Sequence, residues 1–210
     1  MKSNHKDYII FFLVGIIIGV SLSIMGGVAF YRVKKSGGKI SLSSFSFNPF
    51  KRSGHDFKDG FSVSFEKESD RQIFKADKSV ASEMSSLHAT AGSNSLMIKL
   101  PARGEYPGVV WESYGRDVLD WSSHRYFKFD IYNNNEAYVE LEVKFKSGDN
   151  YPKKSTSYRI ELNPLELNNI SIPLDAIVGK CDLNQMSYVK IFSKSPSVNY
   201  VLYLDNIRVE

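Results

Sequence analysis

Residues 106–133, YPGVVWESYGRDVLDWSSHRYFKFDIYN, decide the fold of this chain. They contain both tryptophans, Trp111 and Trp121, and two strand-like runs, Val109–Tyr114 and Tyr126–Tyr132. In the second run apolar side chains alternate with polar or aromatic ones. This period of two places one set on a buried face and the other on an open face. The stretch therefore predicts the middle of a β-sandwich, with both tryptophans in its core.

The same alternation continues through most of the chain from Phe61 onward. We predict strands at Phe61–Glu66, Ser82–Thr90, Ser95–Leu100, Val109–Tyr114, Tyr126–Asn133, Tyr138–Lys146, Thr156–Leu162, Asn168–Pro173, Met186–Phe192 and Tyr200–Val209. Turn signals rich in Gly, Asn and Pro separate them, and the one helix-like piece, Leu174–Val178, is short. Short strands with almost no helix predict an all-β jelly-roll β-sandwich over residues 61–210.

The net charge of +4 is unevenly distributed along the chain. Residues 1–60 carry nine Lys/Arg and three Asp/Glu, a net of +6, whereas residues 61–210 carry eighteen and twenty, a net of −2. The predicted folded domain therefore lacks the basic face of a nucleic-acid-binding protein, and we predict no nucleic-acid partner. The positive charge lies beside an apolar segment, where it suits lipid head groups.

That apolar segment, Tyr8–Tyr31, contains no charged residue over 24 positions. About 20 apolar residues cross a bilayer as a helix, so we predict a transmembrane signal anchor within residues 1–31. A cleaved signal peptide is the alternative, because Gly27-Val28-Ala29 has the small-x-small form of a cleavage site. Against it, the apolar core is longer than the usual ~7–15 residues.

The side of the membrane on which the domain lies is argued from two opposing signals. More Lys and Arg residues follow the apolar segment than precede it, which by the positive-inside rule favours a cytoplasmic domain. A short amino-terminal tail before an apolar run is the ordinary form of a signal anchor and favours the opposite. We expect a single-pass protein with its domain on the periplasmic or extracellular side of a bacterial cytoplasmic membrane. Residues 32–60, rich in Ser, Gly and Lys, predict a flexible basic linker.

Cys181 is the single cysteine of the chain, so it forms no intrachain disulfide. The Cys and His spacing matches no zinc site. A buried cysteine that acts as a small hydrophobic residue is the favoured interpretation, and a reactive or intermolecular thiol is the alternative.

Polar and aromatic side chains on two successive strands form the candidate ligand surface. It comprises Tyr126, Lys128, Asp130 and Tyr132 on one strand and Tyr138, Glu140 and Glu142 on the next. If these strands pair, aromatic rings lie beside hydrogen-bonding groups, a combination that suits sugars. The alternative is that the tyrosines are cross-strand pairs that stabilise the sheet. A site at the loop rim would instead use Tyr106, Tyr114, Arg116 and Asn134.

The order of short motifs resembles that of carbohydrate-binding modules of the galactose-binding-like jelly-roll superfamily. The motifs are Phe65-Glu66, Ser82–Ser95 followed by Leu96-Met97-Ile98, Tyr106–Val109, Asp120-Trp121-Ser122, Phe127–Asn133, Asn168–Pro173 and Tyr203–Val209. The resemblance covers about 150 residues, and its fold signal is more specific than any sugar it implies. Such modules are commonly attached to bacterial proteins that handle polysaccharides. We expect this chain to depart from that pattern, with the module following the predicted membrane anchor and without a catalytic domain.

Two carboxylates are candidates for a structural calcium site. First and last strands often lie side by side in a sandwich, which would bring Glu66 and Asp205 together. The alternative is that Asp205 caps or pairs at a strand end. Many modules of the resembled superfamily carry a structural calcium ion with carboxylates at such positions, so the resemblance implies Ca²⁺ at Glu66 and Asp205.

Catalytic motifs are absent from the sequence, which contains no nucleophile elbow, phosphate loop or His-Glu-x-x-His. Glu140 and Glu142 share a strand face and are the one candidate carboxylate pair for a glycosidase. Lys128 and Lys144 share the polar faces, however, as on a solvated sheet surface. We therefore expect a membrane-anchored, non-catalytic polysaccharide-binding protein. The alternative is a protein-interaction or scaffold subunit of a membrane complex, and a polysaccharide hydrolase or lyase is the third hypothesis.

Overall fold

The computed structural model describes residues 61–113, 118–148 and 154–210, together with the backbone of 30–36 and 39–45. The chain divides into two compact units, Met1–Gly54 and His55–Glu210. In the first unit, β1 (Phe30–Ser36) pairs antiparallel with β2 (Lys39–Phe45). The sequence interpretation predicted no strand at these positions, and the flexible linker of residues 32–60 stays a prediction.

The predicted membrane helix Tyr8–Tyr31 lies outside the described residues, except for its last two positions, which belong to β1. Within the part of the chain that the structure describes, no helix is long and apolar enough to cross a bilayer. The anchor therefore stays a prediction.

The second unit consists mainly of short antiparallel strands. In chain order they are β3 (Ser62–Val63), β4 (Lys75–Ala76), β5 (Ala81–Ser85), β6 (Ser95–Leu100), β7 (Gly108–Glu112), β8 (Tyr126–Asn133), β9 (Val139–Ser147), β10 (Lys154–Leu162), β11 (Leu167–Pro173), β12 (Met186–Phe192) and β13 (Tyr200–Val209). Helix α1 (Glu68–Ile73) and two 3-10 turns, Leu174–Ala176 and Leu183–Gln185, complete the described elements. The predicted all-β class is confirmed.

These strands form two sheets that enclose one core. The five-stranded sheet has the order β10-β9-β12-β7-β4, and the six-stranded sheet has the order β11-β8-β13-β6-β5, with β3 also paired to β13. Phe127 of β8 and Phe145 of β9 meet across the core with ring centroids 5.4 Å apart. The predicted β-sandwich is therefore correct, and its two layers are joined through aromatic contacts.

The hypothesis that the strands now assigned as β8 and β9 pair side by side is wrong. They are consecutive, which favours a hairpin, yet they lie in opposite sheets. The turn after β8 is held on β13 instead, since the N–H of Asn134 and the amide of Asn135 both donate to the carbonyl of Val201. This attachment carries the chain across the end of the sandwich before β9 begins.

Trp121 lies at the centre of the core and is 1% exposed. Its ring is stacked on Phe127 at 5.7 Å and contacts Phe61, Trp111 and Phe145. Aromatic pairs add about 0.5–1.5 kcal/mol each beyond the area they bury, and deleting such a ring costs about 3–5 kcal/mol. The predicted burial of both tryptophans is therefore confirmed, and Trp121 contacts aromatic side chains from both sheets.

The first predicted strand is much shorter than the sequence indicated. Only Ser62–Val63 pairs with β13, because Phe65 adopts a left-handed φ of 54° that ends the extended run. Similarly, the predicted strand Ser82–Thr90 ends at Ser85, after which residues 86–94 form a loop. Both departures matter for the site because they place polar side chains in loops over the six-stranded sheet.

Candidate functional site

The outer face of β8 carries Tyr126, Lys128, Asp130 and Tyr132, as predicted, but the 86–94 loop lies on it. Asp130 is 8% exposed. Its carboxylate accepts hydrogen bonds from the Thr90 hydroxyl at 2.8 Å and from the Asn169 and Asn206 amides at 2.8 and 2.9 Å. Burial acts to raise the pKa of Asp130, but these hydrogen bonds hold that pKa below its ordinary value. Asp130 therefore anchors this loop instead of facing solvent.

The same loop also contacts the ring of Tyr132. The ring of His88 is stacked on it, with centroids 3.5 Å apart and planes 8° from parallel. His88 has a φ of 55°, a conformation that is uncommon for residues other than glycine, and burial lowers its pKa. The Tyr132 hydroxyl donates to the carbonyl of Leu165. The ring face that the sequence assigned to a ligand is thus covered by the chain itself.

The remaining predicted residues do not form one surface with these. Lys128 is paired with Glu210 and lies over the ring of Tyr126. On the opposite sheet, Tyr138 precedes β9 and Glu140 pairs with Arg159 at 3.4 Å. The seven candidates are therefore divided between two faces, because β8 and β9 lie in different sheets. Of the seven, Glu142 is the one that lines the cleft described next.

An open cleft of about 410 Å³ lies on the outer face of the five-stranded sheet. Its aromatic lining consists of Tyr106, Tyr188 and Phe192. Its polar lining consists of Glu142, Lys144, Ser157, Lys190 and Lys194. Most of these side chains come from β9, β10 and β12. Tyr106 lies in the loop before β7, and Lys194 lies in the loop after β12.

Strand β12 supplies the central row of this cleft. Tyr188, Lys190 and Phe192 alternate with the buried Val189 and Ile191, so all three point away from the core. The register sets a different partner on β9 beside each of them. Those partners are, in the same order, Lys146, Lys144 and Glu142. The row therefore presents an aromatic ring, an ammonium group and a second aromatic ring in succession along one strand.

Two aromatic residues form a wall at one end of the row. The ring of Tyr106 meets that of Phe192 edge to face at 5.7 Å, and Tyr106 remains 44% exposed. Gly108 lies directly opposite Phe192 on β7. A Cβ at that position would lie only 2.6 Å from the Cβ of Phe192, so glycine makes room for the phenylalanine.

The charges of the cleft are only partly neutralised. The Nζ of Lys190 lies 2.9 Å from the carboxylate of Asp77, whereas within the described residues Lys144 and Lys194 have no carboxylate partner. Burial, with the nearby carboxylates of Asp77 and Glu112, raises the pKa of Tyr188 to about 12. The Tyr188 phenol is therefore neutral at physiological pH and can both donate and accept a hydrogen bond.

Comparison with known proteins identifies this architecture among solved structures only. No family model and no curated protein sequence matches the chain. A family 11 carbohydrate-binding module from Clostridium thermocellum, in complex with a β-1,3-1,4-mixed-linked tetrasaccharide, aligns with a TM-score of 0.55 at 16% identity over 70% of this chain and 94% of that one. The fold is a jelly-roll sandwich.

Two further structures support the same fold. The CBM22-1 xylan-binding domain of Paenibacillus barcinonensis Xyn10C gives a TM-score of 0.51 at 12% identity, over 71% of this chain and 92% of that one. An exo-β-agarase gives 0.58 at 12% identity, but the chain spans only 24% of its length. At these identities the likeness shows the jelly-roll fold, which confirms the fold expected from the motifs.

The proposed calcium ligands, Glu66 and Asp205, do meet at one place, the 86–94 loop. Glu66 accepts the backbone N–H groups of Ser93–Asn94 at 2.8 Å, and Asp205 accepts those of Thr90–Ala91 at 2.7 and 2.8 Å. Calcium is bound by oxygen atoms, whereas these carboxylates face N–H groups. No group of three or more His, Cys, Asp or Glu side chains gathers around a common point in the described ranges. The arrangement therefore does not fit a calcium ion, and the carboxylates bind the loop directly.

The sequence contained a signal for the cleft that our interpretation did not use. Met186–Phe192 was predicted as a strand, and its alternation already places Tyr188, Lys190 and Phe192 on one face. Of the predicted rim residues, Tyr106 lines this cleft, while Asn134 is bonded to β13 in the other sheet. Tyr114 and Arg116 lie outside the described residues. The predicted ligand residues lie mainly on β8 and β9, whose alternation identifies their buried faces but does not show which outer face stays open.

Proposed function

We propose that this chain is a non-catalytic polysaccharide-binding protein whose ligand lies in the cleft on the five-stranded sheet. The observation that carries the proposal is the contrast between the two outer faces. On one face the 86–94 loop covers Asp130 and Tyr132, whereas on the other face the exposed Tyr106 and the half-buried Tyr188 and Lys190 line an open cleft.

The cleft offers the two kinds of contact that a sugar needs. The rings of Tyr106 and Tyr188 provide flat apolar surfaces for C–H faces, and Ser157, Glu142 and the Tyr188 hydroxyl provide hydrogen-bond partners for sugar hydroxyls. Solved neighbours of the same fold include modules described as binding a mixed-linked tetrasaccharide and xylan. Their likeness supports a polysaccharide ligand in general and favours no particular sugar.

A variant pair tests the location. Tyr106 and Tyr126 are exposed to similar extents, 44% and 39%, but lie on opposite sheets. We expect Tyr106→Ala to weaken retardation in polysaccharide-containing native gels about tenfold or more, about 1.4 kcal/mol, and Tyr126→Ala to leave it unchanged. Equal loss in both variants, or loss only in Tyr126→Ala, would place the ligand elsewhere. No retardation of the full chain by any polysaccharide, with native circular dichroism retained, would favour the scaffold alternative.

The absence of catalysis is part of the proposal. Glu140 and Glu142 are the one carboxylate pair that the sequence suggested for catalysis. Only Glu142 lines the cleft, whereas Glu140 forms an ion pair with Arg159. We expect no release of reducing ends or unsaturated products from any polymer that binds. Turnover that falls in Glu142→Gln would instead support a hydrolase or lyase.

We further propose that Tyr8–Tyr31 anchors the protein and that the domain lies outside the cytoplasmic membrane, where surface polysaccharides are handled. The uncharged apolar length of this segment supports the anchor. The protein should stay with membranes after alkaline carbonate extraction, and protease added to intact spheroplasts should digest the domain. Release by carbonate, or protection from protease, would contradict this placement.

A further inference from the structure

The charge of the cleft carries an inference about the class of polysaccharide, and it rests on the function proposed above. Three lysines line the cleft, Lys144, Lys190 and Lys194, against one lining carboxylate, Glu142. Residues 61–210 as a whole carry a net charge of −2. The lining residues of the cleft therefore carry a net charge of +2 on a slightly acidic domain.

Pairing within the protein does not cancel this excess. Lys190 is neutralised by Asp77 at 2.9 Å, which leaves Lys144 and Lys194 without a carboxylate among the described residues. Lys144 is half-buried between Ser157 and Lys190, its cross-strand neighbours. A bound anion would supply the counter-ion that these two ammonium groups lack within the described residues.

The aromatic platform carries a positive charge as well. The Nζ of Lys146 lies 4.1 Å from the ring centroid of Tyr188, a cation–π contact on the row of the cleft. The row of the cleft therefore carries this ammonium group in addition to the three lining lysines.

We propose that the ligand of this cleft is an acidic polysaccharide, whose carboxylate or sulfate groups pair with Lys144 and Lys194 while its sugar rings lie against Tyr106 and Tyr188. Lysine binds such groups as a point charge and does not require the flat two-point geometry of arginine. Uronic acid and sulfated sugars share this chemistry, and the experiment below separates them.

Nucleic acid is the other polyanion to consider, and the structure disfavours it. Nucleic-acid binding usually neutralises many phosphates, roughly 6–10 in a strong site. The cleft offers two unpaired lysines and places Glu142 beside Phe192 and Glu112 beside Tyr188. These carboxylates would repel closely spaced phosphates, but they suit a polymer whose charges are separated by neutral hydroxyl-bearing rings.

The test compares matched polymers and matched variants of the full chain in non-ionic detergent. The polymer pairs are polygalacturonate with its fully methyl-esterified form, and dextran sulfate with dextran. Oligo-dT serves as the nucleic-acid probe. The variants are Lys144→Gln, Lys194→Gln and the double substitution. Lys99→Gln is the control, because Lys99 loses the same charge on the six-stranded sheet, away from the cleft.

We expect an acidic polymer to bind and its neutral counterpart to bind far less. Each cleft substitution should weaken binding about tenfold, the size of a lost charge-assisted hydrogen bond, and Lys99→Gln should not change it. Preference for polygalacturonate or for dextran sulfate identifies carboxylate or sulfate as the recognised group.

Three outcomes would overturn the inference. If neutral polymers bind as tightly as acidic ones and the lysine variants bind normally, the polysaccharide function stands and the charge inference fails. If oligo-dT binds as tightly as the best acidic polysaccharide, the cleft selects negative charge and not sugar. If no polymer binds to natively folded protein, the proposed function fails together with the inference.

Discussion

Replacement of Gly108 by alanine tests the closest backbone approach in the candidate site. A Cβ at this position would lie 2.2 Å from the carbonyl oxygen of Ile191 and 2.6 Å from the Cβ of Phe192. Real Cβ atoms essentially never approach within 3.0 Å of another heavy atom. Both contacted atoms belong to or are fixed by the backbone of β12, so no side-chain rotation relieves the clash. The alanine variant must therefore separate β7 from β12 locally.

The cost follows from the kind of clash. Overpacking a well-packed region costs about 1–3 kcal/mol, and a clash with backbone atoms belongs at the upper end of that range. For a domain of this size, 1 kcal/mol lowers Tm by roughly 2–4 °C, so Gly108→Ala should melt roughly 6–12 °C below wild type. The substitution should also weaken polysaccharide binding, because Phe192 is the inner wall of the cleft against which Tyr106 packs.

Thermal unfolding followed by far-ultraviolet circular dichroism measures this effect, and Gly179→Ala is the matched control. A Cβ at Gly179 meets nothing within 4 Å, but its φ of +82° strains any L side chain. That strain costs about 1–2 kcal/mol, so the control should lose less Tm than Gly108→Ala. If Gly108→Ala melts within about 2 °C of wild type, the inferred contact between β7 and β12 is wrong. The same conclusion follows if the control is the less stable of the two.

Four further predictions concern single side chains and the metal. Burial raises the pKa of Tyr188 to about 12, so a titration followed by absorbance at 295 nm should show a tyrosine that ionises near pH 12. Tyr188→Phe should remove this step, and an unchanged titration curve in that variant would contradict the prediction. Cys181 is 4% exposed and burial raises its pKa, so Ellman's reagent should react with it in urea but not in native buffer. Burial also raises the pKa of Asp205, so protonation favours the folded state and this contribution to the free energy of unfolding should be lost as pH rises above about 4. Urea titrations over this range should show a flatter pH dependence in Asp205→Asn, and parallel curves would argue against it. Removal of calcium with EGTA should leave Tm within about 1 °C of its original value, and a larger drop would restore the calcium hypothesis for Glu66 and Asp205.

The fold was readable because its strands carry a simple alternating signal. Phe127, Phe129 and Ile131 in β8, and the equivalent positions in β9, are fully buried, as a period of two requires. What the sequence could not show was which strands are neighbours. Alternation fixes the two faces of a strand but not its partner, and the turn after β8 is hydrogen-bonded through Asn134 and Asn135 to Val201, which lies 66 residues after Asn135.

The candidate site was harder to predict for the same reason. The predicted residues of β8 have the right chemistry for a sugar, but His88 and Thr90 arrive from a distant loop and cover them. No local sequence pattern predicts that this loop covers β8, because the position of the loop depends on a long-range hydrogen bond from Thr90 to Asp205. The cleft residues on β12 were within a correctly predicted strand, and recognising them required knowing that the outer face of their sheet stays open.

The pairing of β3 with β13 has a consequence for how the domain is used. The first described strand of the sandwich and its last strand both belong to the six-stranded sheet, whereas the candidate cleft lies on the five-stranded sheet. Neither of these two strands therefore lines the cleft, and within the described sandwich they do not limit the length of a bound polymer. If several copies were anchored in one membrane, as proposed, they would bind the same polymer molecule together, and weak individual contacts would combine through avidity.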